Sequence, residues 1–157
     1  MERRESGREN FGWAWAGMCA GMGLHTWDEA VHGFLEYYNA TALAIYGHFW
    51  WAPRMDMSFR TWLTLLVTAN VGLFALTPLA FRNTGWLRRG AYVFCVIQVL
   101  NACIHTIETV RGRTVPSVVL DGPAPGVYTA PVLLAAAGYL WWSLRRCRPD
   151  EGSAAAN

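Results

Sequence analysis

The stretch from Thr61 to Phe81, TWLTLLVTANVGLFALTPLAF, decides the fold. Its 21 residues run from Arg60 to Arg82 without a charge. A membrane-spanning helix needs about 20 mostly apolar residues, within a range of about 17–25. A helix of a soluble bundle shows a polar face opposite its apolar stripe. Only threonines and Asn70 interrupt this one, on no single side, so the window predicts a membrane span.

The same test, worked outward, finds three more windows. Residues 122–144 give 23 uncharged positions, while residues 10–27 and 90–107 give 18 each and run straight into ionisable residues. The first has a charged leader but no small-residue cleavage site, so it reads as a retained helix rather than a signal peptide. Residues 34–52, FLEYYNATALAIYGHFWWA, combine Glu36 and His48 with Tyr and Trp clusters, and Pro53 follows. Amphipathic rings of this kind belong at the membrane–water interface. The expected architecture is all-α: a polytopic four-helix membrane bundle with an extra interfacial or re-entrant helical segment at about 34–52. It forms one domain over residues 1–148, followed by a disordered tail at 149–157.

Composition agrees with that class. Of the 157 residues, 15% are charged, against roughly 25% in an average soluble domain. All 13 basic residues are Arg and they balance 11 acids to a net charge of +2, which excludes the basic footprint of a nucleic-acid binder. The 54% hydrophobic content excludes a disordered chain. With four spans, Arg3, Arg4, Arg8, Arg82, Arg88, Arg89, Arg145, Arg146 and Arg148 share one side, and Arg54, Arg60, Arg111 and Arg113 the other. The positive-inside rule then predicts a multi-pass protein of the plasma membrane with both termini cytoplasmic. Cys19, Cys95 and Cys103 fall within spans and read as small apolar fillers.

Ionisable groups inside spans are rare and point to function. Here they are also arranged. Taking His25 as zero, Asp28, Glu29, His32 and Glu36 fall at about −60°, 40°, −20° and 20° on a helix. Gln98, Asn101, His105 and Glu108 are spaced three, four and three, again one face. His25 lies roughly 21 Å of helix rise from Phe11, and His105 roughly 24 Å from Arg89. The first and third spans run in the same direction, so both imidazoles are expected at one depth, where the two faces meet.

Glu-x-x-His pairs on facing helices build di-iron and di-manganese sites, and mixed His and carboxylate sets also suit a single Fe or Zn. The expected ligands of a divalent metal, Fe before Mn or Zn, are therefore His25, Glu29, His32, His105 and Glu108. Asp28 and Glu36 serve as bridging groups, supporting partners or proton carriers, and Gln98 and Asn101 orient ligands or substrate. The bland alternative is a network of buried ion pairs pinning the helices. No nucleotide or haem motif occurs.

His25-Thr26-Trp27-Asp28-Glu29 resembles the signature of the HXXEE-motif family of small bacterial integral membrane proteins. That family also carries a second histidine in a later helix, matched by His105, and a YxPG motif before its last helix. Ala124-Pro125-Gly126 matches the end of that motif. Asp28 stands for the first Glu, and Pro123 stands where the Tyr would be. The resemblance implies His25, Asp28, Glu29 and His105 as site residues and implies no reaction.

Three functions follow from these residues. The first is a membrane-embedded metal-dependent oxidase or oxygenase of a small or lipophilic substrate, working with a redox partner or as a homo-oligomer. The second is a metal-free acid–base isomerase or cyclase of an isoprenoid or sterol-like substrate. The third is not enzymatic: a proton-coupled transporter subunit or membrane partner protein.

Overall fold

The computed structural model describes residues 2–49, 51 and 53–146, with side chains from Asn10 onward. The expected tail at 149–157 lies outside them. Six helical segments dominate: α1 Glu2–Val31, α2 Phe34–His48, α3 Phe59–Ala75, α4 Thr77–Phe81, α5 Gly85–Arg111 and α6 Ala130–Arg146. Between α5 and α6 stands a small antiparallel hairpin, β1 Arg113–Val115 and β2 Val118–Val119. It is the one departure from an all-α chain among the described residues.

Each break has a local cause. Gly33 adopts φ 72°, the left-handed conformation that ends helices and that a side chain disfavours, so α1 stops before it and α2 starts after it. α3 and α4 are two halves of one kinked rod. Pro78 has no N–H for the Phe74 carbonyl four residues back, and the Thr77 hydroxyl donates to that carbonyl instead, at 2.6 Å. Gly112, at φ 63°, ends α5.

The last uncharged window is corrected by the structure. Helix α6 occupies 17 residues, Ala130–Arg146, and residues 122–129 form a loop. Pro123, Pro125 and Gly126 break any helix there, whereas Pro131 is tolerated in the first turn of one. The 34–52 segment contains the 15-residue α2. Asn39 pins the extended chain after it, donating to the Met57 carbonyl at 2.9 Å and accepting the Met57 N–H at 3.0 Å.

Helix α6 packs on both α1 and α5. Its buried stripe, Ala130, Leu133, Ala137, Leu140 and Leu144, repeats three-four-three-four, the seam spacing of helices that cross at a shallow angle. The small residues bring backbones close, and the Cys95 thiol reaches the Ala137 carbonyl at 3.6 Å. Trp15 wedges between Phe11 and Phe94 and donates its indole N–H to the Leu73 carbonyl at 2.9 Å. At the charged end, Arg88 donates to the Leu144 carbonyl, and Arg146 lies 4.1 Å above the Trp142 ring.

Helices α3 and α5 turn apolar side chains outward. On α5 the buried face carries Gln98 and His105, and Val93, Ile97, Leu100 and Ile104 are exposed. On α3 only Trp62 is buried, with Leu65, Val67, Val71 and Phe74 facing outward. Two rods, Phe59–Phe81 with 23 residues and Gly85–Arg111 with 27, are long and apolar enough to cross a membrane.

Candidate metal centre

The last turns of α1 aim His25 and Glu29 at His105 of α5. Glu29 Oε1 lies 3.5 Å from His25 Nε2 and 3.1 Å from His105 Nε2. The three ligand atoms lie within 4.8 Å of one another, and all three residues are buried. The imidazole centroids are 5.0 Å apart, with planes inclined at 64°.

Do these residues fit a metal ion? Bonds of about 2.0–2.2 Å to a common tetrahedral centre place ligand atoms about 3.4 Å apart. The two Glu29–imidazole separations match that figure. The orientation of the rings argues further. Neither Nε2 has a hydrogen-bond partner, although a carboxylate stands beside each. Buried polar atoms left unpaired cost about 1–3 kcal/mol each. A cation between the three atoms would satisfy both nitrogens, and the donor set could hold one.

The other side of His25 is firmly occupied. Its Nδ1 lies 2.9 Å from Thr129 Oγ1, and that oxygen lies 2.9 Å from Asp28 Oδ2. The Thr129 backbone N–H also donates to Asp28 Oδ2, at 3.0 Å. Asp28 thereby holds the first residue before α6, where a helix favours negative charge. A second threonine ties the same loop to α5. The Thr109 hydroxyl accepts the Ala124 N–H at 2.9 Å and donates to the His105 carbonyl at 2.8 Å.

Gly126 closes the site from above. A Cβ at this position would come within 2.8 Å of His25 Cε1 and 3.2 Å of both Glu29 Cγ and His105 Cε1. Its φ is +91°. Both the space and the backbone demand glycine here.

Of the five expected ligands, three converge. His32 stands aside, its side chain 44% exposed and its ring 5.0 Å from that of Tyr128. Its Nδ1 is 2.7 Å from Asp28 Oδ1, but its hydrogen bond is made to the Asp28 carbonyl at 2.9 Å. Glu108 Oε2 is 4.0 Å from His105 Nδ1, beyond hydrogen-bond reach. Glu36 is exposed on α2, because Gly33 breaks the helix on which its place in the stripe depended. The structure thus brings together three residues that could hold one ion, and leaves His32 and Glu108 of the five expected ligands outside them.

Gln98 is buried two turns before His105, with Oε1 unpaired, and Asn101 is half-buried between them. Phe34 of α2 lies 5.8 Å from the His105 ring and 5.6 Å from Trp62, forming an aromatic wall. The sequence reading missed Thr129, Thr109 and the role of Gly126. A lone threonine carries no signal of its own. The Ala124-Pro125-Gly126 run was the one available pointer.

Comparison with known proteins adds no assignment: no family model, curated protein or solved structure matches the chain.

Proposed function

We propose that this protein is a membrane-embedded, single-metal enzyme whose His25, Glu29 and His105 bind a divalent ion to oxidise or oxygenate a lipophilic substrate. One observation carries the reading: two buried imidazole nitrogens without hydrogen-bond partners converge with one carboxylate. Two His and one carboxylate with positions left open is the ligand set of non-haem Fe(II) oxygenases. Such an ion, when bound, supplies redox and Lewis-acid chemistry that no side chain here offers. The chain's own residues supply the rest. Glu29 neutralises charge between the two rings, Gly126 and Pro125 exclude water from above, and Phe34 with Trp62 offers an apolar bed beside His105.

The membrane setting supports the substrate class. Outward faces of α3, α5 and α6 are apolar, and the buried polar residues His25, Asp28, Glu29, Gln98 and His105 lie inside an otherwise apolar core. In this reading α1, α3 with α4, α5 and α6 are four spans, α2 lies at the interface, and both termini face the cytoplasm. The resemblance to the HXXEE-motif family falls on His25, Asp28, Glu29 and His105, three of them the proposed ligands. Reporter fusions after Arg146 and within the 53–58 segment should report opposite sides of the membrane.

The decisive experiment is metal analysis of detergent-purified protein beside His105→Ala, followed by anaerobic titration with Fe(II), Mn(II) and Zn(II). Stoichiometric metal that the variant loses is the expected result. Tight zinc with no iron binding would move the same three ligands to hydrolysis. Failure to bind any of the ions would overturn the reading in favour of metal-free acid–base chemistry.

A further inference from the structure

We infer that Thr129 is a positioning residue for the centre: with Asp28 behind it, its hydroxyl fixes the proton of His25 on Nδ1 and so presents Nε2 as a lone pair to the ion. This rests on the single-metal reading above. The argument is a count of one hydrogen. A threonine hydroxyl has a single proton and two lone pairs. Around Thr129 Oγ1 stand Asp28 Oδ2 at 2.9 Å, the Gly126 carbonyl at 3.3 Å and His25 Nδ1 at 2.9 Å.

The carboxylate and the carbonyl are acceptors only. If the hydroxyl donated to His25, its oxygen would face the Asp28 carboxylate lone pair to lone pair, deep inside the protein. A charge-assisted bond to Asp28 is the stronger choice, and it leaves the oxygen as an acceptor toward the ring. His25 must then donate from Nδ1, and in the neutral ring Nε2 is left with a free lone pair. That agrees with the absence of any hydrogen-bond partner at His25 Nε2.

Metal-bound histidines commonly donate their second N–H to a carboxylate or carbonyl, and loss of that partner typically weakens metal binding 10–100-fold. Here the hydroxyl of Thr129 stands between ring and carboxylate. Because Thr129 also precedes α6, the same residue ties the last helix to the ligand on the first. The His25–Thr129 contact joins positions 104 apart in the chain.

The test uses full-length protein in detergent, with nitrogen NMR of labelled histidine and metal titration as separate readouts. In the metal-free wild type, His25 should carry its proton on Nδ1; the Nε2-protonated form would overturn the proposal without any variant. Thr129→Val should release His25 into a mixture of tautomers and weaken metal binding 10–100-fold, and Thr129→Ser should restore both. A valine variant with unchanged tautomer and affinity would also overturn it, while metal binding by the wild type kept the single-metal reading intact. Conversely, a wild type that binds no metal but shows the tautomer shift would sink that reading and leave the role of Thr129 standing.

Discussion

His25 and His105 reach the same carboxylate from different helices and are held in opposite ways. His25 is gripped from behind by the hydroxyl of Thr129, which is in turn held by the buried Asp28 of the same helix as His25. His105 meets Glu29 at 3.1 Å through Nε2, but nothing holds its other nitrogen: the acid beside Nδ1, Glu108, stops at 4.0 Å and is partly exposed. The second nitrogen of His25 is held by a hydroxyl and that of His105 is not, so the two rings should respond differently when their surroundings are changed.

The largest break in this comparison is removal of what both rings share. Glu29→Ala should abolish stoichiometric metal binding, with an affinity loss beyond about 100-fold, read by calorimetry. Two rings cannot hold the ion alone, because ligand number dominates affinity.

Next comes Gly126→Ala, which strikes both rings at once. The added methyl meets His25 Cε1 at 2.8 Å and the backbone sits at φ +91°. Thermal unfolding in detergent should show a loss of roughly 1–3 kcal/mol, the usual range for a residue forced into such a conformation. Metal affinity should fall as well.

A finer contrast lies in the second nitrogen of each ring. Glu108→Gln should change metal affinity less than about fivefold, since a loose, partly solvated charge contact contributes under about 1 kcal/mol. Set beside the Thr129→Val loss, that asymmetry would measure the difference between the rings directly. A large effect of Glu108→Gln would mean that Glu108 closes on His105 once the ion is in place.

The smallest effects should come from the acids and imidazole left outside. Glu36→Gln should leave metal content and affinity unchanged within error, because its side chain is exposed on α2, and His32→Ala should cost less than Thr129→Val, because His32 meets Asp28 at 2.7 Å but none of the three ligands.

The sequence made part of this legible. Spacing alone put His25 and Glu29 on one turn, and rise per residue put His105 at their level. Periodicity failed at Gly33, since the wheel that carried Glu36 into the stripe assumed a helix that a left-handed residue ends. Hydropathy failed at residues 122–129, where the run is as apolar as a span but its prolines and glycine make it a loop. Charge content reveals whether a segment tolerates lipid, not whether its backbone is helical. Thr129 was invisible for a third reason: its importance comes from a contact between residues 101 positions apart.

That separation has a consequence for how the protein comes into being. Its candidate site draws on residues 25–29, on residue 105 and on the loop at 124–129, so synthesis must pass residue 129 before the parts coexist. Until the ribosome has released the segment bearing Gly126 and Thr129, the imidazoles have no roof and the first has no anchor. If the three ligands hold an ion, loading would be a late event in biogenesis, and a chain truncated before α6 should be unable to retain one.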